Sequence, residues 1–292
     1  MKIAVIGANG QLGSDAVLAF QQHGEEVVAL THSDLELQMI DSVSTCLKSI
    51  RPELVVNTAA MHHVETCELD PQRAFAVNGI GSRNLALVAR ELGAVLMHVS
   101  TDYVFDGKKN SPYEESDAAN PLNVYGNTKL SGEYFVRSTL KKHFVLRTSA
   151  IYGHSPCRAK GGLNFIELML KLARERGEVR VVDSEIVSPT STADLSRQMV
   201  ALSRCEYYGL YHATAEGSCS WYGFAEEVFR QTGVKVVLKV AGANEFPSKV
   251  PRPHYSVLEN RALKVLGLNV FRPWQDGVRE YLSSSVPAGS VC

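Results

Sequence analysis

Lys2-Ile3-Ala4-Val5-Ile6-Gly7-Ala8-Asn9-Gly10-Gln11-Leu12-Gly13 is the stretch that decides the fold. Four apolar residues in a row run into three glycines spaced three apart, and a helical pattern follows from Asp15. A short, continuous apolar run bounded by glycine reads as a strand covered on both faces, as in a parallel sheet. Glycine lets the backbone take positive φ and approach a ligand with no Cβ in the way. The helix behind it aims free N–H groups and a partial positive charge at the turn. Strand, glycine turn and helix in that order predict a cradle for the pyrophosphate of a dinucleotide, with Gly7, Gly10, Gln11, Leu12 and Gly13 at the cofactor.

The same alternation continues outward. Apolar, β-rich runs at 26–30, 54–57, 95–99 and 144–147 are separated by amphipathic stretches at 15–23, 42–50, 74–92 and 129–138, each long enough to cross back over a sheet. This predicts an α/β fold, a Rossmann-like doubly wound parallel sheet. Residues 1–150 form its main body, and two later strands, at 179–182 and 209–213, are expected to extend the same sheet. Residues 151–282 are assigned mainly to a smaller substrate-binding lobe that is discontinuous in sequence, and 283–292, rich in Ser and ending in Cys292, to a flexible tail.

Bulk properties narrow the function. The 292 residues are 45% hydrophobic and 21% charged, enough to bury a large core. A formal net charge of -1 offers no general attraction to nucleic acid or to an anionic membrane surface. The apolar start stops at Gly7 and reads as a strand rather than a leader, and no apolar run approaches the length of a membrane span. A soluble, cytoplasmic protein is expected. The six cysteines are scattered, without C-x-x-C pairs or zinc-ligand spacing, and are expected to be reduced thiols. His62 and His63 are adjacent, which seldom lets two rings converge on one ion, so a loop or pocket-wall role is expected and no metal site is assigned.

Tyr125-Gly126-Asn127-Thr128-Lys129 places a phenol and an ammonium four residues apart at the start of an expected helix, on one face. A neighbouring ammonium that stabilises the phenolate makes tyrosine a usable acid or base, so Lys129 is expected to lower the Tyr125 pKa. Ser100-Thr101-Asp102-Tyr103 follows the fourth strand directly, at the carboxyl edge where parallel sheets bind ligands. Thr101 is therefore the candidate hydroxyl that polarises a substrate carbonyl. The second strand ends in Thr31-His32-Ser33 with Asp34 close by, which leaves both NADPH and NADH open.

These residues together resemble the dTDP-4-dehydrorhamnose reductase family of extended short-chain dehydrogenase/reductases. The likeness runs from Met1 to about Leu282. It includes Asn57-Thr58-Ala59-Ala60, Phe75-Ala76-Val77-Asn78, Leu146-Arg147-Thr148-Ser149, Asn164-Phe165, Ser188-Pro189-Thr190, Ser220-Trp221-Tyr222-Gly223-Phe224-Ala225 and Arg252-Pro253 leading to Ser256-Val257-Leu258. The resemblance implies NAD(P)H-dependent reduction of the C4 keto group of a dTDP-linked sugar, dTDP-4-dehydro-6-deoxy-L-mannose, to dTDP-L-rhamnose. Thr101, Tyr125 and Lys129 would be catalytic. Lys129 would also reach the nicotinamide ribose, Glu36 and Leu37 the adenosine, and Ala59, Ala60 and Asn78 would line the cofactor cleft. His62, Asp102, Tyr103, Ala150 and Arg252 would face the substrate, and a homodimer is compatible with the family.

Three departures bear on the sugar. Ala150 stands where the family has a tryptophan after Arg-Thr-Ser; Met61, His62 and His63 replace the family's aromatic-or-His and Thr; and Ser184-Glu185 replaces Asp-Gln. Two other readings share the fold. One is a nucleotide-sugar epimerase or dehydratase that recycles NAD+; the other is a non-catalytic protein like the regulatory subunit of methionine adenosyltransferase. Retention of Thr101, Tyr125 and Lys129 favours catalysis, because a binding module has no physical need of a tuned phenol.

Overall fold

A computed structural model describes residues 1–157, 161–242, 245 and 250–284. Its first half alternates strand and helix: β1 (Lys2–Ile6), α1 (Gln11–Gln22), β2 (Glu26–Leu30), α2 (Ile40–Ile50), β3 (Leu54–Asn57), α3 (Val64–Leu69), α4 (Pro71–Ala74), α5 (Gly81–Leu92), β4 (Val95–Thr101), α6 (Val124–Thr139) and β5 (His143–Thr148). A π-helical turn, Phe75–Ile80, joins α4 to α5, and a 3-10 turn, Asp102–Val104, follows β4. The second half adds β6 (Ile151–Tyr152), α7 (Phe165–Arg176), β7 (Glu178–Val181), β8 (Ile186–Val187), β9 (Thr190–Ser191), α8 (Thr192–Ser203), β10 (Gly209–His212), β11 (Cys219–Ser220), α9 (Trp221–Thr232), β12 (Val237–Val240), α10 (Arg261–Val265) and α11 (Trp274–Ser284). Of the tail expected at 283–292, Ser283 and Ser284 complete α11, and the remainder lies outside the described residues.

Six strands form one parallel sheet in the order β10-β5-β4-β3-β1-β2, a Rossmann-like, doubly wound arrangement. Side chains alternate across a strand, so a strand buried on both faces is apolar throughout. Ile3 and Val5 pack with Leu12, Ala16 and Phe20 of α1 and with Leu195 and Met199 of α8. Ala4 and Ile6 face the opposite core with Val43, Leu47, Leu85 and Val136, from α2, α5 and α6. The strand order reverses between β1 and β3, and the crevice outside their carboxyl ends is where such sheets take ligands.

One strand is not where the sequence reading put it. The run at 179–182 forms β7, which pairs with β12 in a separate two-stranded parallel sheet and not with the main one. Its burial explains why: Val179 and Val181 are buried while Arg180 between them is exposed, so only one face is covered. That half-covered sheet packs with Met169, Ala173, Ala225 and Phe229 of α7 and α9 in a core of its own. By contrast β10 pairs with β5 and closes one edge of the main sheet.

Candidate active site

The glycine turn is made of backbone. Gly7 has φ +80°, and a Cβ there would stand 2.8 Å from Thr58 Oγ1 and 2.9 Å from Ala59 N. A Cβ on Gly13 would stand 2.1 Å from Gly7 O, so α1 begins directly against the turn. Gly10 N donates to Gly7 O at 2.9 Å and closes it. No side chain caps the start of α1, which leaves its first-turn amides free for an anion. Gln11 and Leu12 offer backbone here, since Gln11 Nε2 donates to Gly153 O at 3.2 Å and Leu12 is buried in the core.

The opposite wall of the crevice is set by two asparagines. Asn57 Oδ1 accepts from Ala59 N at 3.1 Å. Asn78, in the π-helical turn, accepts from Met61 N and donates to Met61 O, both at 2.9 Å, and donates to Thr128 Oγ1 at 3.0 Å. Its amide thus holds the Ala59-Ala60-Met61 loop against α6. At the far end Leu37 is buried, and its carbonyl accepts from Asn84 Nδ2 at 2.9 Å. Glu36 is half-buried with its carboxylate 3.2 Å from His32 Nε2. Asp34 accepts from Thr31 N at 2.7 Å and from Thr31 Oγ1 at 2.8 Å, bonds that hold its carboxyl below the usual range.

The residues expected to handle the proton, Thr101 and Tyr125, meet at the end of β4. Thr101 Oγ1 accepts from Tyr103 N at 3.2 Å, donates to Asp102 Oδ1 at 3.0 Å and hydrogen-bonds the Tyr125 phenol. Tyr125 lies in the first turn of α6, whose start is capped by Asn123 Oδ1 accepting from Gly126 N at 2.9 Å. Gly126 is needed because a Cβ there would stand 2.2 Å from Tyr103 O. Without that close approach the helix could not bring Tyr125 to Thr101. The Tyr103 and Tyr125 rings meet edge-on, centroids 5.7 Å apart.

Behind them Asp102 is buried among hydroxyls: Ser149 Oγ donates to Oδ2 at 2.8 Å, and Thr101 and Ser256 also bond the carboxyl. Burial nevertheless raises its pKa. Ala150, half-buried with φ +44°, turns the chain just after Ser149. Arg252 pairs with Glu65 of α3, and its Nε is buried with no hydrogen-bond partner among the described residues. His62 is exposed, whereas His63 caps α3 by accepting from Thr66 N at 3.2 Å.

Lys129 shares a helix face with Tyr125, but the expected lowering of the phenol is not found. Lys129 Nζ donates to Val99 O at 2.6 Å. Burial lowers its pKa to about 8, opposed by the Glu133 carboxylate. For Tyr125, burial dominates and raises the pKa, the Thr101 hydrogen bond works against the rise, and Asp102 and Cys67 add to it. The reason is desolvation: a phenol shut away from water pays more for ionising than these neighbours return. Beneath this pair, Glu133 accepts from Ser100 Oγ at 2.5 Å and from Arg147 Nη2 at 2.7 Å, a buried ion pair stitching α6 to β4 and β5.

Sequence reasoning missed Asn123, Gly126, Glu133, Ser149 and Ser256. Asn123 carried a signal, an N-cap residue just before an expected helix. Ser149 and Ser256 stood only inside stretches of family likeness, because nothing local to either marks a carboxyl arriving from β4. A surface depression of about 570 Å³ beside β2, lined by Leu30, Asp34, Ser42 and Cys46, contains none of these groups. Among the described residues no cluster of three or more His, Cys, Asp or Glu could hold a metal ion, and no helix is long and apolar enough to cross a membrane.

Comparison with known proteins agrees with this geometry. A family model described as the RmlD substrate binding domain matches residues 1–286. The chain is 41% identical over 281 residues, 96% of each chain, to a spore coat polysaccharide biosynthesis protein, SpsK, of Bacillus subtilis. A solved dTDP-4-dehydrorhamnose reductase of Clostridium acetobutylicum superposes with a TM-score of 0.93 at 38% identity, over 97% of this chain and 99% of that one. The corresponding reductase of Bacillus anthracis, solved in complex with NADP, gives a TM-score of 0.92 at 33% identity with the same coverage. With a cradle, a hydroxyl pair and a match along nearly its whole length, the chain belongs to the RmlD substrate binding domain family.

Proposed function

We propose that this protein is an NADPH-dependent dTDP-4-dehydrorhamnose reductase, converting the C4 ketone of dTDP-4-dehydro-6-deoxy-L-mannose to the alcohol of dTDP-L-rhamnose. The observation that carries the reading is the hydrogen-bonded pair of Thr101 and Tyr125 hydroxyls at the carboxyl end of β4. The uncapped start of α1 and the close approach at Gly7 and Gly13 fit a dinucleotide's pyrophosphate. At the end of β2, Thr31 occupies the Asp34 carboxylate while His32 and Ser33 stay exposed, which suits NADPH over NADH.

When bound, the reduced nicotinamide supplies the hydride. The protein's part is to orient the ketone and hand its oxygen a proton. Burial keeps the Tyr125 phenol protonated at neutral pH, the form a general acid must have. Thr101 has one hydroxyl proton, held by Asp102 Oδ1 without substrate, and turns it to the ketone oxygen beside Tyr125 as the substrate binds. Lys129, cationic up to about pH 8, is suited to hold the nicotinamide ribose from the same helix face, one turn beyond Tyr125. Asp102, Tyr103, His62 and the small Ala150 form the sugar's surroundings, and residues 151–282 furnish most of the substrate lobe. Arg252, with an unpartnered Nε, is the fork-shaped donor for a nucleotide phosphate.

The test follows NADPH absorbance on adding dTDP-4-dehydro-6-deoxy-L-mannose, with NADH and UDP-linked keto-sugars in parallel. Oxidation that requires the dTDP-linked ketone is expected. Cofactor binding with no oxidation by any keto-sugar would replace the reductase with a binding protein.

A further inference from the structure

Asn123 stands between the helix that carries the proton donor and the segment that carries Arg252, and both ends of its amide are in use. Its Oδ1 accepts from Gly126 N at 2.9 Å, one residue past Tyr125. Its Nδ2 donates to Pro251 O at 2.9 Å, one residue before Arg252. The side chain is buried, so water would not readily replace either bond.

Downstream of Arg252 the segment is held by the backbone. Ile186 N donates to His254 O at 2.7 Å, Ser256 N to Ile186 O at 2.9 Å and Tyr113 N to Val257 O at 2.9 Å. Pro253 and His254 close on Gly107, where a Cβ would stand 2.8 Å from each. At Pro251 and Arg252 the holds are of another kind, side chains reaching across from the first 150 residues. Glu65 pairs with Arg252, and Glu68, one turn further along α3, accepts from Val124 N at 3.0 Å at the start of α6.

We propose that Asn123 is a positioning residue that sets Tyr125 and Arg252 in one geometry, so that the start of the catalytic helix and the substrate-facing edge of the second lobe move as a unit. Asparagine is required for this and not merely for capping. Aspartate and serine start helices as well as asparagine does. Aspartate would turn an acceptor toward the Pro251 carbonyl, and serine is too short to reach both partners. The kinetic consequence rests on the reductase reading; the structural coupling does not.

The experiment compares Asn123→Asp, Asn123→Ser and Asn123→Ala in the full chain by two measurements. Amide hydrogen exchange, measured without any sugar, is expected to speed up at Arg252 in the Asp and Ser variants while α6 stays protected and 254–257, held by its own backbone bonds, is unchanged; the Ala variant loosens α6 as well as Arg252. With substrate, the Asp and Ser variants are expected to raise KM for the dTDP-linked ketone about tenfold, the size expected for one lost buried hydrogen bond, leaving KM for NADPH unchanged. The Ala variant lowers kcat as well. Wild-type exchange at Arg252 in the Asp and Ser variants would overturn the coupling. So would loosening of α6 alone in all three with KM unmoved, which would make Asn123 a helix cap and nothing more. If even the wild type turns over no sugar, the reductase reading fails while the exchange measurement still decides the coupling.

Discussion

The glycine cradle and the proposed proton-transfer site share one rim of one sheet and are built by opposite means. The cradle comes from one run, Gly7 to Gly13, facing Thr58 and Ala59, and its working parts are backbone: a positive φ at Gly7 and an approach at Gly13 that excludes a Cβ. The proposed proton site is made of side chains from distant places, with Thr101 on β4, Tyr125 on α6, Ser149 after β5 and Ser256 far along the chain gathered around Asp102. A backbone site fails chiefly where a glycine is lost. A side-chain site fails member by member, and fails again if the elements that carry its members shift.

The largest effect expected from that contrast is at Tyr125. Tyr125→Phe should lower kcat by roughly two to four orders of magnitude, the range for lost general acid catalysis, while NADPH titration shows nearly unchanged affinity. Unchanged turnover would remove Tyr125 from the chemistry. Gly126→Ala probes the one place where the proton site depends on a backbone approach. Its new Cβ would collide with Tyr103 O, and displacing Tyr125 by an ångström should cost on the order of 10²-fold in kcat with the fold retained. A normal kcat there would mean that the first turn of α6 is free to shift without harm.

Gly13→Ala should act on the other side of the comparison. Overpacking against Gly7 O is expected to cost about 1–3 kcal/mol in thermal or denaturant unfolding, and NADPH KM should rise by roughly tenfold. An effect on kcat alone would blur the division between the two regions.

The smallest effect is in the pH profile. Lys129 is protonated below about pH 8, so kcat/KM should be level below that value and fall as pH rises through it, halved near pH 8, with Lys129→Arg abolishing the decline. The stability contribution of this group runs the other way. Its folded pKa lies below its unfolded value near 10.5, so the unfolded chain binds more protons between about pH 8 and 10.5, and this term makes stability rise across that window. Activity lost there without a falling melting temperature would identify titration rather than unfolding. A flat kcat/KM from pH 7 to 9.5 would detach Lys129 from the reaction.

Much of the fold was legible because its strands are buried on both faces. The runs at 26–30 and 54–57 coincide with β2 and β3, and 95–99 lies within β4. The run at 179–182 misled because a short apolar stretch does not name its partner strand. Yet the exposed Arg180 between Val179 and Val181 was a sign of a one-sided sheet. Thr101 and Tyr125 were each singled out, from a strand end and a helix start, but their contact with one another was not read from the sequence. Nor was the behaviour of Lys129, because it depends on how deeply the pair is buried and on the Val99 carbonyl that takes the ammonium.

What the amino-acid order by itself determined is local: a glycine where φ must be positive, an apolar run where both faces are covered, and a phenol and an ammonium on one side of a helix. Each needs only near neighbours in the chain and the fixed geometry of helix and strand. Only the tertiary structure decided that three hydroxyls surround Asp102, that Arg252 meets Glu65 and that Asn123 reaches Pro251. Those pairings join segments whose separation along the chain carries no pattern, and they exist because packing the chain around the central sheet brings them within hydrogen-bonding distance.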